Sequence, residues 1–298
     1  MQLNLKVKIM KKVIVEISGG LGNQMFMYAT GRALALRVGG ELILDYDNSG
    51  KKDFYGRTFE LNKFNIKGKR SNFYSYNYPL GKILKKISRR LGRHIPCLNI
   101  KNVSENKSFD FDSDILSITN SCHLSGYWQS ELYFKDFENV IRQDFVFLNP
   151  MSHKVLDEKE QILNLNDRAV ALCVRRYQEV KQFGKLKLTE VDYYKKAIIE
   201  IQKRVPNPVF FCFSQTPLWV KEMLEPLGIE IRYITPKQGE NASIEDLYLM
   251  MNFKNFILSN STYYWWGAWL SSRSDKLIIS PNNWCCNKSN CDGWIIIE

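Results

Sequence analysis

Two adjacent arginines form a group in this sequence that could bind a phosphate. Arg175 and Arg176 follow AVALCV, an apolar run that is typical of a buried strand. Guanidinium groups stay charged and bind phosphate oxygens through paired hydrogen bonds. At the carboxyl end of a strand, the pair could stabilise a departing nucleoside diphosphate without a metal. The alternative is a surface ion-pair cluster with Glu179 or another nearby acid.

A polar run between a predicted strand and a predicted helix could also bind an anion. The run consists of Ser259, Asn260, Ser261 and Thr262. Hydroxyl groups and free amides at a helix N-terminus bind phosphates, although short polar runs also cap helices routinely. Asp246 stands three residues after Ser243, at the capping position of the helix that begins there, so local capping is one interpretation. Its carboxylate could instead accept the N1 and N2 protons of guanine.

A glycine turn near the start of the chain could form a third binding group. Gly20-Leu21-Gly22 matches part of the G-x-G-x-x-G dinucleotide fingerprint, but Met25 occupies the third glycine position. Asp45 ends the next predicted strand, where a ribose-binding acid is expected. An NAD(P)-dependent oxidoreductase is therefore one hypothesis. The other is that the glycines only permit a tight turn, which Asn23 then caps.

Carboxylates and cysteines offer no pattern that requires a metal. Asp45-Tyr46-Asp47 resembles the D-x-D pair that holds a metal on a diphosphate, but two carboxylates at this spacing are common by chance. The seven cysteines are an odd number, and Cys173 and Cys212 lie in apolar runs, as reduced thiols do in a cytoplasm. We predict no metal site and no cofactor.

The formal net charge of +11 indicates an anionic partner. The densest basic segment, Lys82–Arg93, is either a solvated surface helix or an amphipathic helix on anionic lipid. Since no known nucleic-acid motif accompanies the charge, we expect no nucleic-acid partner. The sequence also lacks a run of about 18 apolar residues and a signal peptide. A cytoplasmic protein is expected, with peripheral contact to the inner face of the membrane as the alternative.

Strands and helices alternate along the chain, most regularly after residue 169. The predicted strands are Val13–Ile17, Glu41–Asp45, His123–Gln129, Ala169–Val174, Pro208–Phe213, Ile229–Ile234, Phe256–Ser259 and Lys276–Ser280. The predicted helices run from Gln24 to Gly39-Gly40 and over Glu131–Phe145, Thr189–Arg204, Leu218–Leu227, Ile244–Asn252 and Thr262–Ser271. This alternation predicts an α/β protein with doubly wound parallel sheets. A composition change near residue 150 predicts two Rossmann-type domains, 10–150 and 151–298, that face each other across a cleft.

Three stretches together resemble a known family. They are GGLGNQMFMYATGRALA at Gly19–Ala35, LSGYWQSELYF at Leu124–Phe134 and DLYLMMNFKNFILSNSTYYWWGAWLS at Asp246–Ser271. These stretches are similar to the bacterial alpha-1,2-fucosyltransferases of glycosyltransferase family 11. The resemblance implies a GT-B-like fold, GDP-L-fucose as donor and no metal. It also implies transfer of fucose to the 2-hydroxyl of a sugar, usually galactose in a glycan, with inversion of the anomeric centre.

The resemblance also implies roles for individual residues. Arg175 and Arg176 match the arginines of the family's His-x-Arg-Arg-x-Asp block, which contacts the donor pyrophosphate. Asp246 resembles the acid that reads guanine, and Asn23 an asparagine near the reaction centre. The polar run at residues 259–262 matches a turn near the donor phosphates. We place Gly20 and Gly22 with this donor-binding group.

One departure from the family pattern bears on catalysis. Cys173 stands where the family has histidine, and Tyr177-Gln178 replaces the usual Gly-Asp. Glu179 is the nearest carboxylate that could act as the catalytic base. A non-catalytic nucleotide- or glycan-binding homologue is therefore a further hypothesis beside the oxidoreductase.

Overall fold

The structure is a computed structural model that describes residues 10–46, 57–71, 100–106, 110–176, 189–234, 241–282 and 291–298. Glu179, Asp47 and Lys82–Arg93 lie outside the described residues, so the interpretations that involve them stay predictions. The chain divides into two units, Met1–Val146 and Phe147–Glu298, and each has its own sheet. No helix in the described ranges is long and apolar enough to cross a membrane.

The N-terminal unit contains a five-stranded parallel sheet in the order β3-β2-β1-β5-β4. The strands are β1 (Lys12–Glu16), β2 (Glu41–Asp45), β3 (Lys69–Ser71), β4 (Lys101–Ser104) and β5 (Cys122–Ser125). Val13, Ile14 and Val15 of the central strand are completely buried, as β-branched residues of a sheet covered on both faces should be. The order places β1 beside β5, so the connections after these two strands begin at the same sheet edge.

Helix α1 (Leu21–Val38) follows β1 after the glycine turn. Its N-cap is Gly20, not Asn23 as predicted, because the helix begins three residues earlier than the sequence pattern indicates. The helix ends as predicted at Gly39, whose φ of 63° lies in the left-handed region that glycine adopts at low cost. Every residue of α1 is buried or half-buried, so the helix is covered on all sides.

Gly31 allows α1 to approach the sheet closely. A Cβ atom at this position would lie 3.0 Å from Val15 Cγ1 and 3.2 Å from Leu42 Cδ1. Val15 is a β-branched residue of the central strand, so its side chain has little room to move. The absent side chain at Gly31 therefore sets the distance between α1 and the sheet.

The Gly31→Val variant is expected to lower the free energy of unfolding of the N-terminal unit by about 2 kcal/mol. Overpacking of this kind costs about 1–3 kcal/mol and outweighs the gain in helix propensity, which is under about 1 kcal/mol. Hydrogen exchange of the α1 amides would measure the change. The control is Leu36→Val, which puts the same residue at a half-buried site of α1 and should cost less than Gly31→Val. An equal loss of unfolding free energy in the two variants would contradict the packing argument.

A buried carboxylate ties α1 to the helix α2 (Glu138–Asp144). Asp144 Oδ2 accepts hydrogen bonds from the Tyr28 hydroxyl at 2.8 Å and from Arg32 Nε at 2.9 Å. The Lys67 backbone N–H in turn donates to the Tyr28 hydroxyl at 2.9 Å. Burial, and next the Asp144 charge, raise the pKa of Tyr28 well above its ordinary value, so it stays a neutral donor.

The C-terminal unit contains a six-stranded parallel sheet in the order β11-β10-β9-β6-β7-β8. Its strands are β6 (Ala169–Val174), β7 (Val209–Ser214), β8 (Glu230–Tyr233), β9 (Asn255–Ile257), β10 (Leu277–Pro281) and β11 (Ile295–Ile297). Its helices are α3 (His153–Asn164), α4 (Val191–Arg204), α5 (Pro217–Leu224), α6 (Ala242–Met250) and α7 (Thr262–Leu270). The two parallel sheets confirm the predicted doubly wound α/β fold class.

Candidate functional site

The strand order of the C-terminal unit brings two predicted phosphate-binding groups to one edge. From β6 the chain adds β7 and β8 on one side, then returns to add β9 on the other. β6 and β9 are therefore neighbours, with Val170 opposite Asn255 and Leu172 opposite Ile257. Arg175 and Arg176 follow β6, and the run Ser259–Thr262 follows β9. Such a reversal of strand order is where open α/β sheets bind their ligands.

Each arginine of the pair is positioned by a side chain from the β7–α5 segment. Arg175 Nη1 donates to Gln215 Oε1 at 2.6 Å. The Arg176 guanidinium lies 4.3 Å from the ring centre of Trp219, close enough for a cation–π interaction. Both arginines are half-buried, so each guanidinium is held near its anchor while part of it stays accessible. The sequence pattern indicated neither Gln215 nor Trp219.

The polar run after β9 is largely buried and is hydrogen-bonded to the segment that precedes α4. Ser259, Asn260 and Ser261 have exposed fractions of 0%, 7% and 6%, and Ser261 is the N-cap of α7. The Asn260 backbone N–H donates to Thr189 Oγ1 at 3.3 Å. Thr189 was the predicted start of a helix, but α4 begins at Val191 and the hydroxyl fixes the polar run instead. The start of α7 thus presents backbone N–H groups at the same edge as the arginines.

Asp246 lies in the body of α6 and does not cap it. The helix begins at Ala242 with Asn241 as its N-cap, so the capping interpretation is wrong. α6 packs closely against α7, since a Cβ atom on Gly267 would lie 2.9 Å from Met250 Cβ. The Tyr263 hydroxyl also donates to the Ser243 carbonyl oxygen, which connects the first turns of both helices. The structure therefore fixes the position of Asp246 relative to the start of α7.

The residue that replaces the family's histidine has no access to a ligand. Cys173 is completely buried in β6, and its Sγ lies 4.0 Å from Met250 Sδ. Burial raises the pKa of its thiol well above the ordinary value. A neutral buried thiol cannot act as a general base or a nucleophile. Cys173 is consequently a packing residue in this protein.

Asn23 and a residue after β5 come together at the sheet edge of the N-terminal unit. Gln129 Nε2 donates to Asn23 Oδ1 at 3.2 Å. The segment before Gln129 is shaped by Glu105, whose carboxylate accepts from the Tyr127 and Trp128 backbone N–H groups at 2.7 and 2.8 Å. Burial raises the pKa of Glu105. Gln129 stands in one of the three stretches that resemble the family, which is the only sequence signal for it.

The predicted site residues divide between the two units. Gly20, Gly22 and Asn23 belong to the N-terminal unit, although the two glycines were grouped with donor binding. The members in the C-terminal unit are Arg175, Arg176, Asp246, Ser259, Asn260, Ser261 and Thr262. A cavity of 690 Å³ lies at the opposite, amino-terminal edge of the C-terminal sheet, beside Asp167, Lys254 and Lys276. Its position at that edge separates it from the arginine pair.

Two doubly wound parallel sheets, one with an arginine pair and a helix start at the same edge, are the architecture of the GT-B class of nucleotide-sugar transferases. The family model described as Glycosyl transferase family 11 matches residues 12–291, and the chain belongs to this family. It is a glycosyltransferase that uses a nucleotide sugar, which replaces the oxidoreductase hypothesis for the glycine turn.

Two relatives agree with the family assignment, and a solved structure agrees with the fold. An Escherichia coli alpha-1,2-colitosyltransferase is 29% identical, and the match covers 92% of this chain and 93% of that one. The Escherichia coli O-antigen biosynthesis glycosyltransferase WbnK is also 29% identical, with coverages of 94% and 98%. The crystal structure of NodZ alpha-1,6-fucosyltransferase soaked with GDP-fucose has a TM-score of 0.51 at 16% identity, with coverages of 88% and 92%. This last likeness shows the fold alone.

Proposed function

We propose that the enzyme transfers L-fucose from GDP-L-fucose to the 2-hydroxyl of a galactose residue in a glycan acceptor. The observation that carries the proposal is the arginine pair beside the start of α7, at the reversal of strand order. This arrangement suits a diphosphate leaving group, because two fixed cations and a helix N-terminus act on the same charge. The resemblance of the three stretches to alpha-1,2-fucosyltransferases of family 11 supports fucose as the sugar.

The proposed reaction is a single displacement with inversion. The acceptor hydroxyl attacks the anomeric carbon while the bond from that carbon to the GDP oxygen lengthens and breaks. Negative charge grows on the terminal phosphate, where Arg175, Arg176 and the N–H groups of α7 stabilise it. The proton of the attacking hydroxyl passes to a base, for which Glu179 stays a prediction outside the described residues. Asn23, whose Oδ1 accepts a hydrogen bond from Gln129, stays a prediction as a residue near the reaction centre.

Asp246 is proposed to recognise the guanine base by hydrogen bonds. A carboxylate accepts the N1 and N2 protons of guanine together, and uracil or adenine offers no such pair of donors at matching positions. The contacts between α6 and α7 hold this carboxylate at a fixed distance from the start of α7, which is proposed to bind the diphosphate. Asp246→Asn should therefore weaken GDP binding while leaving the weak binding of UDP unchanged, which competition titrations would measure.

The donor diphosphate is proposed to need no metal. The arginines supply the positive charge that Mg²⁺ or Mn²⁺ provides in metal-dependent transferases. The dissociation constant of GDP should accordingly be the same with and without millimolar Mg²⁺. A large increase in GDP affinity on adding Mg²⁺ would contradict this part of the proposal.

Transfer of colitose is the second candidate function. The observation that favours it is the similarity over nearly the whole chain to an alpha-1,2-colitosyltransferase. Colitose differs from L-fucose only in lacking the hydroxyl at carbon 3, so the same phosphate contacts would serve both donors. A site that hydrogen-bonds the 3-hydroxyl would prefer fucose strongly, because its polar groups would be unpaired with colitose.

A donor panel tests these assignments. GDP-L-fucose, GDP-colitose, GDP-mannose and a UDP-sugar would each be incubated with a galactose-terminated oligosaccharide, and the linkage of any product determined by NMR. Fucose on the 2-hydroxyl of galactose is the expected result. Tight GDP binding without turnover on any acceptor would instead identify a non-catalytic homologue.

Trp219→Leu is expected to lower kcat/KM for the donor by roughly fivefold to thirtyfold. Arg176 would lose a cation–π interaction worth about 1–2 kcal/mol, so it would no longer be fixed toward the phosphates. Trp219→Phe retains an aromatic face and should keep most of the activity. If the two variants lose equal activity, the position of Arg176 does not depend on the ring.

A further inference from the structure

Three ionisable side chains of the N-terminal unit meet on one face of its sheet. Glu16 ends β1, and Asp45, the last residue of β2, is directly opposite it. His123 of β5 is opposite Ile14, two residues before Glu16. Since strand side chains alternate between faces, all three project to the same side. That side is opposite to α1, which contacts Val15.

The polar atoms of this cluster that face one another are close together but lack hydrogen bonds. His123 Nε2 lies 3.5 Å from Glu16 Oε1 and 3.7 Å from Asp45 Oδ2. The side chains of His123 and Asp45 are 4% and 0% exposed. Within the described part of the chain, no hydrogen-bond partner exists for Glu16 Oε1, His123 Nε2 or either carboxylate oxygen of Asp45.

Burial without partners is costly for these groups, and a bound cation would offset that cost. An ionised carboxylate loses its hydration when buried, and a paired charge, hydrogen bonds or a metal can restore that energy. Neither carboxylate pairs with a lysine or arginine among the residues that the structure describes. A proton shared between imidazole and carboxylate would bring nitrogen and oxygen to about 2.7–2.9 Å. Donor atoms around a tetrahedral zinc ion, with bonds of about 2.0–2.1 Å, are roughly 3.3–3.5 Å apart, close to the observed spacing.

An outer hydrogen bond orients the Glu16 carboxylate toward the cluster. Ser125 Oγ donates to Glu16 Oε2 at 2.7 Å, so Oε1 is the oxygen that faces His123. Metal-binding carboxylates are commonly oriented by such partners, which hold one oxygen and present the other to the ion. The donor atoms of Glu16, Asp45 and His123 all lie within 4.8 Å of one another, as ligands of a single ion do.

We propose that Glu16, Asp45 and His123 bind one divalent transition-metal ion, with zinc preferred. Imidazole nitrogen together with carboxylate oxygen favours zinc or manganese over magnesium. The ion would join the carboxyl ends of β1 and β2 to the neighbouring strand β5, and the glycine turn and the Gln129 segment follow β1 and β5. Its three ligands belong to the N-terminal unit, whereas the proposed diphosphate contacts belong to the C-terminal unit. The proposal does not rest on the identity of the sugar donor.

Metal content and metal-dependent melting test the proposal. The full-length protein would be prepared without a polyhistidine tag, stripped with EDTA and returned to chelator-free buffer. ZnCl₂, MnCl₂ and MgCl₂ would then be added separately, with metal content determined by mass spectrometry and melting followed by calorimetry. We expect one equivalent of zinc per chain and a rise in Tm with zinc but not with magnesium. No bound metal and no rise in Tm would overturn the proposal in favour of a shared proton.

Matched variants distinguish this cluster from other zinc-binding groups such as cysteines. His123→Asn should abolish stoichiometric zinc binding, whereas His153→Asn, at an exposed helix start, should not change it. Glu16→Gln keeps the shape of a partly exposed side chain and should also lose the zinc-dependent rise in Tm, so the test survives if His123→Asn does not fold. Ser125→Ala should weaken zinc binding by about 10–100-fold. Unchanged zinc affinity in Glu16→Gln would assign the ion elsewhere and overturn the proposal.

Discussion

Arg175→Ala is expected to reduce glycosyl transfer by about 10²–10³-fold while the protein stays folded. The variant removes a fixed guanidinium from the place where negative charge develops, and loss of one such contact costs about 3–4 kcal/mol in the transition state. Arg175 follows β6 and is half-buried, so its truncation to alanine leaves no cavity in the fully buried core. Initial rates of transfer with saturating acceptor would measure the loss.

Two further variants make this prediction specific. Arg204→Ala removes an exposed arginine of α4 that pairs with Glu200, and it should leave the rate of transfer unchanged. Arg175→Lys keeps the charge but loses the forked geometry, so it should recover only part of the activity. Turnover close to the wild-type rate in Arg175→Ala would exclude this arginine from the proposed mechanism.

Asp144→Ala is expected to destabilise the N-terminal unit by about 3–5 kcal/mol. Its carboxylate is 4% exposed and accepts from both Tyr28 and Arg32, so removal leaves a partly buried guanidinium and a buried hydroxyl without their acceptor. Asp136→Ala is the control, since that carboxylate is 74% exposed in its ion pair with Arg37 and is worth less than about 1 kcal/mol. Hydrogen exchange of the α1 amides would measure both variants in the unit concerned. Equal loss of protection in the two would contradict the argument from burial.

The sequence predicts the buried strands well but misses three of the four edge strands of the described sheets, β3, β4 and β11. AVALCV and ELILD are apolar because both faces of the sheet are covered, and they form β6 and β2 with the predicted bounds. Lys69–Ser71 and Lys101–Ser104 pair at sheet edges and are largely exposed, so they have no apolar pattern. The predicted helix Glu131–Phe145 is instead two 3₁₀ turns followed by α2. Periods of 3.0 and 3.6 residues place Phe134, Phe137 and Ile141 similarly over so short a segment.

The site was predictable residue by residue, but its assembly was not. Arg175 and the run Ser259–Thr262 are recognisable from residue type and from their place after a strand. That they share one sheet edge depends on β9 lying beside β6, and strand order has no local sequence signal. The same reason applies to the cluster of Glu16, Asp45 and His123, whose members come from three separate strands. Whether these side chains meet depends on the pairing register of the strands, which cannot be predicted from any single segment.

The complete enclosure of α1 has a consequence for how this protein can evolve. A helix with a solvent face can exchange half of its residues without affecting the core, whereas α1 has no exposed position. Almost every substitution in it would alter packing against the sheet or the buried polar contacts, and selection would remove most of them. In a saturation library, Leu21–Val38 should therefore accept far fewer changes than the amphipathic helix α4. The sequence of α1 should therefore diverge slowly among homologues, even where their acceptor preference differs.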